Sequence, residues 1–337
     1  MTRVIAFRLL AAIPNLVGII VIAFIVTRIL PGDAAAYYAG PTATAATIEE
    51  TRQRLGLDGT MMEQFLAYVG QLVRGDLGDS LSSGQPVIED FARRLPASLE
   101  LTLFALVIAI AGGILLGVGA ALRPRGVVDR IASVVSAVGQ AVPTFFLGLV
   151  LVFLFYYLLD WAPEPLGRLS FMYSPPQPMT GFWTIDALLQ GRFDLFGELV
   201  RQLALPVITL AWFGIGPIAR ITRSAMMDAL SSDFVRTARA AGLSRRTILW
   251  RYGFRNALIP VLHTTGMVFS FMLGANVLVE DVFGWPGIGA YTVDAVLVAD
   301  YAPVQAYILV MAALYIVVNL AIDVITALVD PRVRYDG

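Results

Sequence analysis

The sequence predicts an all-α integral membrane protein: six transmembrane helices, both termini cytoplasmic, and a small helical extracytoplasmic cap after the first helix. Three observations carry this expectation. The 337 residues are 58% hydrophobic and only 15% charged, with a mean hydropathy of +0.75, against about 45–50% apolar and about 25% charged in soluble domains. The apolar residues gather in blocks of about 20 or more, the length that crosses a hydrocarbon core. The arginines concentrate on alternate links between those blocks.

The blocks are Leu9–Leu30, Leu101–Leu122, Ile131–Leu159, Leu203–Ile221, Ala257–Val279 and Val304–Val329. The first has Arg3 and Arg8 ahead of it and Ala34, Ala35 and Ala36 behind, as a signal peptide would. Its apolar stretch exceeds the 7–15 residues of a signal core, so it is read as a retained helix. Pro206, Gly216 and Pro217 interrupt the fourth block, and such breaks persist only where neighbouring helices or a polar cavity satisfy the freed backbone groups. Arg3, Arg8, Arg123, Arg125, Arg130, the arginines from Arg220 to Arg255, and Arg332 and Arg334 fall on one side of this arrangement. The link Glu280–Pro303 has none, so the arginine-rich side is placed in the cytoplasm.

Between the first two spans, Asp33–Ser98 is too long for a bare connector. Thr47 with Glu50 and Thr60 with Glu63 have the capping-box spacing of a helix start. Phe65, Leu66, Val69, Leu72 and Val73 form one apolar stripe that Gly75 ends. A third short helix, with Val87, Ile88, Phe91 and Leu95 on one face, is expected to stop before Pro96. The resulting cap reads as a packing layer rather than a substrate contact. Asp160–Gln202, with five prolines up to Pro178, reads as an irregular loop. Residues 1–98 therefore form the first helix with its cap, and residues 99–337 a core transmembrane domain with a cytoplasmic loop at about 228–256.

That loop is the most informative stretch. Asp233 is placed to cap a short helix from Phe234 to Ala241, with Gly242 ending it, and Ser244 to cap a second helix running toward Pro260. Phe234, Ala238 and Ala241 fall at i, i+4 and i+7, one bulky anchor among small side chains. Such a helix suits insertion into a groove on another protein, with arginines pairing carboxylates at the rim. An ordinary basic loop resting on lipid headgroups remains the competing reading.

Several elements carry no catalytic signature. There is no Cys and a single His, which argues against disulfides and Cys/His metal sites. All 24 basic residues are Arg, so a phosphate-binding loop with its lysine is absent, and any ATP is bound by another chain. Asp323 lies within a span, a functional candidate by position, but Asn319 at i−4 favours an interhelical hydrogen-bonding role. His263 is a candidate for facing a pathway. Gly112, Gly113, Gly117 and Gly119 read as close helix contacts. Trp285, Pro286 and Gly287 read as a tight outer-face turn or re-entrant element, in which Trp285 serves equally well as an interfacial anchor.

The stretch "DFVRTARAAGLSRRTILWRYGFRNALIPVL" resembles the cytoplasmic signature loop of ABC importer permeases of the oligopeptide/dipeptide/nickel family. "LPGD" at Leu30–Asp33, "RLGLD" at Arg54–Asp58, "RGDLGDS" at Arg74–Ser80, "RLPASLELTL" at Arg94–Leu103, "VPTFFLGL" at Val142–Leu149, "VFGWPGIG" at Val282–Gly289 and "NLAIDVITALVDPRVR" at Asn319–Arg334 extend the likeness in order along nearly the whole chain. The long segment after the first span resembles the first, B-type, permease subunit. The resemblance implies an ATP-driven importer whose cargo is most commonly peptide, with nickel or another small solute as alternatives. It also implies a second homologous permease, two ATPases that hold the ATP and magnesium, and an extracytoplasmic binding protein. The chain would then bind no cofactor, metal or nucleic acid itself and catalyse nothing. Coupling to the ATPases would fall to Asp233, Phe234, Arg236, Thr237, Ala238, Arg239, Ala240, Ala241 and Gly242. Where this family usually has lysine before the loop glycine, this chain has Ala241, which implies a retuned charged contact. The rival class, an ion-coupled secondary transporter, calls for several intramembrane carboxylates and paired broken helices in repeated halves. Only Asp323 lies within a predicted span. A membrane-embedded enzyme calls for an acid–base or metal cluster, and the spans contain neither pattern.

Overall fold

A computed structural model describes residues 2–29, 34–40, 42–54 and 56–329. The motif Leu30–Asp33 and the tail from Asp330, with Arg332 and Arg334, lie outside the described residues. The described chain is helical, and four of its helices are long and apolar enough to cross a membrane, or five if one bent pair counts as a span. Two units are distinguished: Ala97–Trp285 with the chain from Val318 onward, and Thr2–Pro96 with Pro286–Val317.

In the second unit, α1 (Thr2–Ile29) contributes the apolar stretch Ile13–Thr27. Helices α2 (Ala34–Ala39), α3 (Ala45–Arg54) and α4 (Met61–Val73) follow. The box at the start of α4 forms as expected: Glu63 N–H donates to Thr60 Oγ1 at 3.3 Å and Thr60 N–H donates to the Glu63 carboxylate at 2.7 Å. Those bonds from Thr60 hold the Glu63 carboxyl below its usual range. The expected cap at Thr47 moves one turn earlier. Thr44 Oγ1 accepts the Thr47 N–H at 3.3 Å, so the helix already includes Thr47. The α4 stripe buries only in part; Phe65 and Tyr68 pack on Phe24, with ring centroids 5.3 and 6.0 Å away, while Leu66 and Val73 stay exposed. Asp300, fully buried, accepts from Ser80 Oγ, Ser82 N–H and Ser82 Oγ at 2.7–3.1 Å. This pins the segment before α5 to the start of α14 (Tyr301–Val329).

The expected short helix before Pro96 does not end there. Helix α5 runs from Val87 to Leu122 with Pro96 inside it, and the division expected after residue 98 falls within this helix. Proline removes one backbone donor but does not itself force an end. The third block is a broken element instead of one straight span. Helix α6 (Val127–Ala141) and helix α7 (Thr144–Leu151), which continues as a π-helical stretch to Leu158, meet at 105°. Pro143 drives Val142 into extended backbone (φ −92°, ψ 121°), which stops α6.

The loop expected over Asp160–Gln202 is shorter than that. Helix α8 (Trp183–Leu189) forms inside it, and α9 (Phe193–Ser231) begins there. Neither Pro206 nor Pro217 breaks α9, which at 39 residues is about 58 Å long. Ser136 on α6 donates to the carbonyl of Gly216 at 3.1 Å, tying α6 to α9 beside Pro217.

The core of the first unit is built on α9. Helix α5 runs parallel to it, with Gly113 against Ile218 and Gly117 against Thr222, where an added Cβ would stand 2.6 and 2.5 Å from those side chains. The close contact read from these glycines is therefore present. Helix α12 (Arg255–Val282) runs along α9 in the opposite direction, placing Val268 and Met272 on Gly214, where Ala109 of α5 also lies. Leu101, Leu210, Ile218, Met272 and Trp285 are all buried in the resulting cluster.

Candidate functional site

Helix α9 leads almost directly into the short helix α10 (Asp233–Ala240). Only Ser232 intervenes, in extended conformation, and it occupies the capping position expected for Asp233. Its hydroxyl donates backwards to Ala229 O at 2.6 Å instead of accepting from α10. Asp233 is thus the first residue of the helix, exposed, where a carboxylate suits the positive end of the helix dipole.

The far end forms as the sequence predicts. Gly242 adopts φ +76°, its N–H donates to Arg239 O at 3.0 Å, and Leu243 N–H donates to Ala238 O at 3.2 Å. These paired bonds close a helix through a left-handed residue, the conformation glycine adopts without steric cost. A Cβ added at Gly242 would meet nothing within 4 Å. The glycine is needed for backbone geometry and not for room within this chain.

The sequence suggests a helix with little to bury on its own chain, and the structure buries one stripe of it. Val235 and Ala238 are buried with Ile248, packed against Leu230 and Tyr252. Phe234 is 45% exposed, and Arg236, Thr237, Arg239, Ala240, Ala241 and Gly242 are exposed as well. The helix therefore does bury one stripe on its own chain and presents the other outward. Val235 was legible as i−3 to Ala238; Phe234, read as the anchor toward a partner, stays on the outward side. Arg236 pairs with Asp233 at 3.3 Å, a fully surface contact that contributes little.

Ser244 caps the next element as expected, accepting the Thr247 N–H at 3.2 Å. This element does not stop near Pro260. Helix α11 (Arg245–Thr247), a π-helical stretch (Ile248–Phe254) and α12 form one rod from Arg245 to Val282. At the same end of the bundle, Arg223 on α9 grips Asp129 through two donors at 2.6 and 3.0 Å, and Arg125 N–H donates to the same carboxylate at 2.8 Å.

The remaining candidates are dispersed. His263 is exposed on α12. Asn319 Oδ1 lies 3.8 Å from a Cβ built on Gly266, so it faces α12 about one turn from His263; Asn319 and Asp323 are both half-buried. Trp285, for which a tight turn and an interfacial anchor read equally well in the sequence, lies in the core: it is 2% exposed, and its indole N–H donates to Ala97 O at 3.0 Å. Pro286 is exposed and Gly287 precedes α13 (Ile288–Leu297).

Several buried carboxylates escaped the sequence reading, Glu100 and Glu280 among them. Glu100 is bonded to Arg168 and to the N–H and hydroxyl of Thr184, and the Arg168 guanidinium lies 4.1 Å from the ring centre of Trp183. Glu280 accepts from Ser98 and from Asn276. A lone glutamate in the apolar run around Glu100 was a usable signal.

Comparison with known proteins adds an independent line. The family model described as "Binding-protein-dependent transport system inner membrane component" matches residues 113–335, and the model of the corresponding N-terminal region matches residues 1–102. The chain is 41% identical over 336 residues to a di/tripeptide transport system permease protein of Pseudomonas aeruginosa, covering 99% of each. It is 40% identical over 320 residues to a probable D,D-dipeptide transport system permease protein of Escherichia coli, covering 95% of this chain and 94% of the relative. A glutathione transport system permease protein, also of E. coli, is 37% identical over 328 residues, 97% of each.

Proposed function

This chain belongs to the family of binding-protein-dependent transport system inner membrane components, and from that premise we propose that it is the first of two permease subunits in an ATP-driven importer of di- or oligopeptides. It is a multi-pass protein of the bacterial inner membrane. In this reading six spans cross the bilayer: α1, α5, the bent α6–α7 pair, α9, α12 and α14. Both termini face the cytoplasm and α2–α4 form the outer cap, followed by the core domain of residues 99–337. The partners are a homologous permease forming the other half of the pathway, two ATPases that bind and hydrolyse ATP with magnesium, and an external binding protein. The chain itself supplies no catalytic group.

The observation that carries this proposal is the placement of α10. It is the elbow between two long rods, α9 and Arg245–Val282, that pack along each other. One stripe of α10 is anchored on its own chain and the other is open to a partner. A displacement of α10 by closing ATPases therefore passes directly into two spans, and because those spans are close-packed the response is a switch between discrete arrangements. Peptide cargo is supported by the names of the relatives.

The assembled importer in proteoliposomes tests this. Gly242→Val should abolish stimulation of ATP hydrolysis by the loaded binding protein while leaving membrane insertion unchanged, since φ +76° is closed to β-branched residues. Gly242→Asn, which tolerates that conformation, should retain most activity. Normal coupling in Gly242→Val would overturn the role of α10. Uptake of nickel with no uptake of labelled dipeptide would overturn the cargo.

A further inference from the structure

We propose that an arginine-lined cleft beside α10 holds the headgroup of an anionic phospholipid from the inner leaflet. The inference rests on the orientation proposed above, which puts the cleft at the cytoplasmic leaflet. The cleft has a volume of about 820 Å³ and lies between the last turn of α5, the end of α10 and the start of the Arg245–Val282 rod.

Arg123, Arg239, Arg245 and Arg246 line it, and no acidic side chain does. Among the described residues, Arg123, Arg245 and Arg246 are exposed and none lies within ion-pair distance of a carboxylate. Arg239 reaches only the backbone carbonyl of Leu230, at 3.4 Å. Elsewhere in the same unit, Arg168 and Arg223 each have a carboxylate partner. Four guanidinium groups gathered around one space repel one another unless an anion joins them. Their planar donor forks match phosphate oxygens in pairs.

The apolar lining selects lipid as the source of that phosphate. Leu122 ends a candidate span and is half exposed. The cleft therefore opens where hydrocarbon gives way to headgroups, so that acyl chains can run along α5 while the phosphate stays among the arginines. Trp250, 47% exposed and set edge-on to Phe254 with ring centroids 5.3 Å apart, follows the cleft along the same rod. Amphipathic aromatics of this kind mark the membrane–water boundary. Phe234, Arg236, Thr237, Ala240 and Ala241 do not line the cleft, so the outward face of α10 other than Arg239 is left to a protein partner.

The test uses the full chain alone, in nanodiscs of phosphatidylcholine with and without phosphatidylglycerol, and measures bound phosphatidylglycerol. Without the ATPases present, failure here is distinguishable from failure of the coupling assay. Arg123→Gln with Arg245→Gln and Arg246→Gln should weaken phosphatidylglycerol binding about a hundredfold, roughly fivefold per arginine near an anionic surface. Arg246→Gln alone should weaken it roughly fivefold, which keeps the test open if the triple variant folds poorly. Arg130→Gln, outside the cleft, should leave binding unchanged. Wild-type binding by the triple variant overturns the proposal, as does an equal loss in Arg130→Gln, which would indicate a diffuse basic surface. Displacement of the lipid by inorganic phosphate at matching concentration would assign the cleft to a soluble anion and also overturn it.

Discussion

At the end of the bundle where α5, α9 and α12 carry Glu100, Leu195 and Glu280, both carboxylates are buried and each accepts at least two hydrogen bonds. At the other end, roughly 33 Å along α5, the charges are mostly arginines left exposed, with Asp129–Arg223 as the one strongly bonded pair among the described residues of that end. The first arrangement fixes geometry. A desolvated ion is costly to move away from its partners, so the loop carrying Arg168 and the start of α8 are tied to α5. The second leaves binding capacity unused within the chain. One end is internally satisfied and the other is built to be completed from outside.

Breaking the satisfied end should have the largest effect. Glu100→Ala leaves the Arg168 guanidinium, 5% exposed, without its carboxylate, and should cost about 3–5 kcal/mol, read as a large fall in the thermal midpoint of the detergent-solubilised chain. Replacing both partners, Glu100→Leu with Arg168→Met, should recover most of that loss, because neither member of the pair is then left as an uncompensated buried charge. If the double variant is as unstable as the single one, the loop is held by something other than this pair.

Packing between the two ends comes next. Gly117→Val would drive side-chain atoms into Thr222 and the backbone carbonyl of Ala219, 2.5 and 2.6 Å from the position of a Cβ. The expected cost is about 2–3 kcal/mol. Because the clash involves backbone, α5 and α9 must separate and both ends should loosen together. Proteolysis confined to one end would show that the ends are mechanically independent.

At the arginine-rich end, Asp129→Asn should cost clearly less than Glu100→Ala. Arg223 is about one-third exposed, so solvent replaces part of what the carboxylate gives. The ratio of this loss to that of Glu100→Ala measures how differently the two ends are held. Equal losses would erase the distinction.

Legibility in the sequence followed the range of the interactions. The spans within α5, α12 and α14, the Thr60–Glu63 box and the glycine closures at Gly75 and Gly242 depend on residues a few positions apart, and these formed as expected. Prolines were the main source of error. Pro143 ends a helix, yet Pro96, Pro206 and Pro217 do not. At Pro143 the preceding Val142 is extended, whereas the residues before Pro96, Pro206 and Pro217 stay helical, and a linear pattern does not carry that difference. The buried pairs were invisible for a related reason: Glu100 and Arg168 are 68 residues apart, and Asp129 and Arg223 are 94 apart. For α10 the boundaries were nearly legible, but its inward face was not, because Ile248, which buries Val235, comes from the next helical segment.

The smallest effect sharpens the description of the satisfied end through pH. Asp186 is fully buried at the start of α8 and accepts from the N–H groups of Met179, Thr180 and Gly181 and from the Thr180 hydroxyl, at 2.7–3.3 Å. Burial alone would raise its pKa, but the bonds from Thr180, Met179 and Gly181 outweigh it and hold the carboxyl below the usual range. A depressed folded-state pKa means that the charged form stabilises the fold. That stabilisation is fully present above the unfolded-state value of about 3.9 and is lost as pH falls through the lower folded-state value. Asp186→Asn offers one acceptor oxygen and an NH₂ that opposes the three N–H donors, so at neutral pH it should cost on the order of 1 kcal/mol. Thermal midpoints measured across the acid range should show a constant gap between wild type and variant down to about pH 4, then convergence as the wild-type carboxylate is protonated. A gap that closes between neutrality and pH 5 would mean that Asp186 titrates high, with burial prevailing over its hydrogen bonds.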